Sequence, residues 1–158
     1  MHRETAFENH FVKKEKFIHM KYKRNEHLIA LRVDRGEEIV ACIKKVCEAE
    51  HITFGSIAGI GAVGHAVVGL YHVADKKFVS RTFDGELEMT SLLGNATEQD
   101  GQVYLHFHAS FAKEDGTTLG GHLSEAVVSG TAEIFIQTAP GTIGRKADPE
   151  TGINLFDL

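Results

Sequence analysis

The chain has 158 residues, 42% of them hydrophobic and 25% charged, enough for one globular domain with its own core and too ordered a composition for a disordered tail. Its formal net charge of −5 excludes a polycationic surface over the chain as a whole, so a nucleic-acid footprint would need local basic clusters. No apolar run approaches the roughly 18 residues that span a bilayer, and the N-terminus carries no apolar secretory segment, so the sequence predicts a cytoplasmic protein.

In chain order, residues 1–16 read as a polar arm, and residues 17–158 as a single domain. Two short strands, "FIHMKYK" and "HLIALRV", flank Arg24-Asn25-Glu26. The clearest helix follows in "GEEIVACIKKVCEAE", where Ile39, Val40, Ile43, Val46 and Cys47 make one apolar stripe at the helical period. Glu37 and Glu38 are expected in its first turn, where a negative charge suits the helix dipole. Cys42 and Cys47 lie in this helix without CxxC spacing and read as reduced, partly buried thiols.

After Ile52 the pattern is alternating strand broken by turn signals at Asp75-Lys76-Lys77, Asp84-Gly85, Asp100-Gly101 and Asp115-Gly116. Asp-Gly favours hairpins because glycine accepts the positive φ of a tight turn. The predicted fold is α+β, a largely antiparallel sheet with one main amphipathic helix. Gly59 to Gly64 spells a literal GxGxxG, but "HAVVGLY" after it reads as strand. A dinucleotide site needs a helix opening at that point, so the glycines are expected to serve a bulge or a close backbone approach in a bent strand.

The chemistry-bearing stretch is "YLHFHASFAKEDGTTLGGHL". Strand alternation puts Leu105, Phe107, Ala109 and Phe111 on a core face, and Tyr104, His106, His108 and Ser110 on the opposite one. If "TTLGGHL" folds back across the Asp115-Gly116 turn, His122 returns beside the first two histidines. Gly120 and Gly121 would then leave room above the site. Three imidazoles with an open fourth position form the ligand set of a catalytic-type zinc centre, although imidazole also suits Cu, Ni or Fe. Glu86 and Glu88 alternate in the preceding strand. A pairing that puts Glu88 on the histidine face would make it a general base for a hydrolase or lyase; a solvated strand face is the plainer reading.

The segments "GEEIVACIKKVCEAEHITFGSIAGIGAV", "ELEMTSLLGNAT", "HFHASFAKEDGTTLGGHL" and "RKADPETGINLFDL", in this order, resemble the plant and prokaryote conserved (PPC) domain family over about Leu28 to Leu158. The resemblance implies a homotrimer in which His106, His108 and His122 lie together near a subunit interface and bind a divalent metal, zinc first among them. The family also carries a DNA-binding label. Its plant members owe DNA contact to a separate AT-hook with an Arg-Gly-Arg-Pro core, a tetrapeptide not found in these residues. The basic clusters "KKEK" and "KYKR" are too short to replace it, so nucleic acid is an unexpected partner and self-association the expected one. In the tail, Arg145 is a candidate clamp for a small anionic ligand near the metal, with a surface ion pair as the alternative.

Overall fold

The computed structural model describes residues 19–158; the polar arm assigned to residues 1–16 lies outside them. The elements run β1 (Lys21–Asn25), β2 (Leu28–Val33), α1 (Ile39–Ala49), β3 (Gly55–His72), β4 (Lys77–Gln99), β5 (Gln102–Ala112), β6 (Thr118–Thr138), β7 (Gly144–Ala147) and β8 (Asn154–Asp157). The architecture is mostly sheet with one short helix, as alternation and the single helical stripe predict.

Four long strands close on one another. β3 pairs with β4 and β6, and β5 pairs with the same two strands, all antiparallel. The β1–β2 hairpin extends one edge through β6, and the β7–β8 hairpin joins β4 at the other through Glu98 and Gly144. Inside the closure sits one apolar core, with Phe107, Phe111, Ile29, Met89, Leu92 and Ile134 among its largest side chains. Helix α1 buries Ile39, Cys42, Ile43, Val46 and Cys47 against it. Both cysteines are free and buried, and burial pushes each thiol up to about 12, which keeps them protonated and unreactive at neutral pH.

The helix begins one turn position later than the sequence suggests. Glu38 is the N-cap, and its carboxylate accepts the backbone N–H groups of Val40, Ala41 and, from β6, Ala126. Glu37 lies outside the helix altogether. It is buried and accepts the N–H groups of His19, Met20 and Asp34, which fastens the chain's approach to β1 onto the loop before α1. An acidic pair expected to serve the helix dipole therefore satisfies backbone donors instead, a stronger charge-assisted interaction.

The two kinds of Asp-Gly separate clearly. Asp100-Gly101 reverses the chain between β4 and β5 with both residues at positive φ (53° and 77°). Asp84-Gly85 is no turn: β4 runs unbroken through it, and Gly85, at φ 113°, sits where the β3–β4 register slips between Val63 and His65. With β3 still alongside to pair, the glycine produces a bulge instead of a reversal. The GxGxxG glycines lie wholly within β3, between register shifts, as the strand reading requires. A Cβ on Gly61 would stand 2.6 Å from the Thr131 carbonyl oxygen, so the close approach of β6 depends on its absence.

Candidate metal centre

β5 carries the first two histidines on the face predicted for them: Phe107, Ala109 and Phe111 are buried, while His106 is half-buried and His108 exposed. The β5–β6 hairpin brings the third back in exact register, with His108 opposite His122. The loop that sets this register is held by Asp115, whose carboxylate accepts from the Thr117 N–H and hydroxyl, and by the Gly116 N–H donating to the Lys113 carbonyl.

His122 also faces Gly69 of β3, so it stands between two strands. The glycines before it act differently from the sequence expectation. A Cβ on Gly120 would meet the Ala109 carbonyl oxygen at 2.4 Å, and one on Gly121, at φ 156°, the Gly69 carbonyl oxygen at 2.6 Å. They make room for neighbouring backbone, not for space above the imidazoles.

The three ring centroids lie 5.1 to 5.6 Å apart, and one ring nitrogen from each falls within 4.8 Å of the others. A tetrahedral zinc site with Zn–N near 2.05 Å places its nitrogens roughly 3.3 Å apart, a closure small ring rotations supply. Among the described residues none of these rings has a hydrogen-bonding protein partner. Burial, then the neighbouring His122 and His108 and the Arg145 cation, push His106 down to about 4; burial and His108 lower His122 as well. Both are neutral at physiological pH, the form a metal requires. Phe78 closes one side, its ring edge-on to His122 at 5.5 Å.

Glu88 is not brought to this group. It shares the histidine face but pairs with Ala112, four residues past His108, which the strand rise makes about 13 Å. There it lines a separate groove of 910 Å³ with Arg35, Glu86, Lys113 and Glu114. The hairpin that joins β4 to β5 turns at Asp100-Gly101, so Asn95, and not a glutamate, lies opposite His106.

Arg145, on β7, does reach the site's edge. Its Nε donates to the Thr97 hydroxyl (3.0 Å), one Nη to the Asn154 carbonyl oxygen (3.0 Å) and the other to Asn95 Oδ1 (2.6 Å). The guanidinium lies over the rings of Tyr104 (4.8 Å) and Phe156 (4.4 Å). It forms no ion pair among the described residues, which sets aside the surface-ion-pair alternative. Buried Thr97 in turn donates to the Tyr104 carbonyl oxygen, which fixes the hydroxyl that Arg145 uses. Asn95, Thr97 and Phe156 escape sequence reasoning because nothing local ties them to Arg145; Tyr104 was visible on the histidine face.

A closed antiparallel sheet with one helix and a three-histidine cluster on its outer face defines the class. The chain belongs to the Plants and Prokaryotes Conserved (PCC) domain family, whose sequence profile matches residues 20–140. A solved structure of a candidate DNA-binding protein from Bacteroides thetaiotaomicron is similar over 87% of this chain and 96% of its own, at 30% identity and TM-score 0.85. A metal-containing protein from Archaeoglobus fulgidus is 32% identical, covering 89% of this chain and 98% of its own, with TM-score 0.78. A plant- and prokaryote-conserved protein from Pyrococcus horikoshii is 32% identical over 88% and 94%, with TM-score 0.77. Among curated proteins none matches this sequence. Among the described residues no helix is long and apolar enough to cross a membrane.

Proposed function

We propose that this PCC-domain protein is a homotrimer holding a divalent metal ion, zinc first, on His106, His108 and His122, and that it serves as an oligomerisation and ligand-binding module. The observation that carries the reading is the convergence of three imidazole nitrogens within 4.8 Å. The metal-containing relative from Archaeoglobus fulgidus supports it. When bound, such an ion supplies Lewis acidity at the position the histidines leave open.

Self-association has its own support. Phe135 and Leu93 both pair with Ala58, Leu93 pairs with His108, and Ile60 is two residues from Ala58 on the same face. Ile60, Leu93 and Phe135 are 58%, 59% and 54% exposed, a contiguous apolar face of the kind that copies cover on assembly, and it runs up to the histidines. DNA binding, which the Bacteroides relative's name would transfer, has no electrostatic footing at a net charge of −5.

The test is metal analysis and light scattering on untagged protein. One ion per chain, lost in His106→Ala and His122→Ala, is the expected result. Equal metal in parent and variants rejects the centre, and a monomeric parent rejects the trimer.

A further inference from the structure

We infer that Arg145 is the recognition residue for a small carboxylate ligand, held with its carboxylate on the guanidinium and the rest of the molecule toward the three imidazoles. The inference deepens the metal reading above and rests on it.

The first argument is the kind of partner Arg145 has. All three groups it donates to are uncharged: a hydroxyl, a backbone carbonyl and a side-chain amide. The acid beside it on β8, Asp157, pairs with Lys146 at 3.0 Å instead. Among the described residues this half-buried guanidinium has no counter-anion, which is costly, and burial pulls its pKa down, so an anion from outside offsets the imbalance. Among the described residues three of the five guanidinium N–H groups are taken, which leaves two to donate.

The second argument is preorganisation. Tyr104 and Phe156 both stack on the guanidinium, at 4.8 and 4.4 Å from ring centroid to Cζ, which holds its plane. The Thr97, Asn154 and Asn95 contacts fix its rotation, so a ligand meets donors already in place. This is a surface for a planar group on a planar fork, the geometry a carboxylate matches. A pair of phosphate oxygens also fits the fork, but its further oxygens gain no donor from Arg145 beyond those two.

The third argument is position. Asn95, which Arg145 holds, is opposite His106 in the β4–β5 pair, and Tyr104, which Arg145 stacks on, precedes His106 by two residues on the same face. An anion on the rim therefore sits at the border of the histidine cluster.

The experiment titrates the protein as purified and after metal removal with glycolate, glycolamide and inorganic phosphate, read by calorimetry and by the ¹⁵N–¹H signal of Arg145 Nε. Glycolate is expected to bind, to shift the Arg145 signal, and to bind about tenfold or more tighter than glycolamide or phosphate. In Arg145→Lys, which keeps the charge but loses the fork, glycolate affinity should fall about tenfold with metal content unchanged. Equal glycolate affinity in the variant, no preference over glycolamide, or no Arg145 shift at about 10 mM glycolate overturns the inference. Tighter binding of phosphate overturns the ligand class. Should the purified protein hold no metal, the metal reading fails by itself, and the titration of that same protein still decides the role of Arg145: a shift with carboxylate preference sustains it, and their absence removes it.

Discussion

His108 on β5 and His122 on β6 are direct cross-strand partners, with ring centroids 5.6 Å apart, so the proposed metal centre is tied to the register of one hairpin. A one-residue slip would send one of the two into the core and the other outward. If the centre holds a metal, its loading should be coupled to the folding of the hairpin. Zinc at 100 times its dissociation constant should stabilise the protein by about 2.7 kcal/mol, and a chelator should remove that increment. Thermal unfolding with and without chelator measures it. His122→Ala should unfold at the same temperature with or without zinc.

The metal-free protein should lose stability in acid through His106 and His122. Both have pKa values depressed in the fold, with His106 at about 4 against 6.5 in the unfolded chain. The unfolded state therefore binds more protons between those values, and stability must fall as pH drops from about 6.5 towards 4. Urea midpoints across that range should decline in the parent and decline less in His106→Phe. A parallel decline in the two proteins would assign the acid sensitivity elsewhere.

Gly121 joins the site to β3. A methyl group there meets the Gly69 carbonyl oxygen at 2.6 Å, and backbone cannot yield as a flexible side chain does. Gly121→Ala should cost about 2 kcal/mol or more, because strand β6 must withdraw from β3 exactly where His122 is placed. Urea unfolding gives the cost, and a weakened zinc affinity in the folded variant gives the displacement of His122. Gly116→Ala, in the open loop at φ 80°, should cost less, about 1 kcal/mol, and leave zinc affinity unchanged.

What the sequence made legible follows from how local its causes are. The face of His106 and His108 was readable because strand alternation against Phe107, Ala109 and Phe111 is a two-residue signal. The return of His122 needed only one short hairpin. Asp84-Gly85 misled because the dipeptide specifies a positive φ and not a reversal; whether it turns or bulges depends on β3, which pairs alongside it. The separation of Glu88 depended on where β4 turns, a choice made at Asp100-Gly101. Arg145 collects Asn95, Thr97, Tyr104 and Phe156 from three other strands, and no spacing rule reaches across that distance in sequence.

Glu38 is a cap with a third customer. Its carboxylate accepts Val40 and Ala41 at the start of α1 and Ala126 on β6, so it fastens the helix to the sheet as well as ending it. Glu38→Ala should cost about 1–2 kcal/mol, at the upper end for an N-cap. Denaturant unfolding gives the figure, and amide exchange should show Ala126 losing protection along with Val40 and Ala41. A loss confined to the helix would reduce Glu38 to an ordinary cap.

The exposed apolar face is the surface that the proposed trimer would cover. Phe135 and Leu93 are more than half exposed in the single chain, so a charge at either costs the isolated fold little. The same charge inside an interface between copies must be desolvated without a partner, a penalty of several kcal/mol repeated at each contact. Phe135→Glu should therefore be a folded monomer with a circular dichroism spectrum like the parent's, against the trimer expected of the parent in light scattering. Leu93 pairs with His108, so Leu93→Glu carries the charge nearer the centre and should weaken zinc binding besides breaking the trimer. A trimeric Phe135→Glu would move the interface off this face, whatever its effect on the metal.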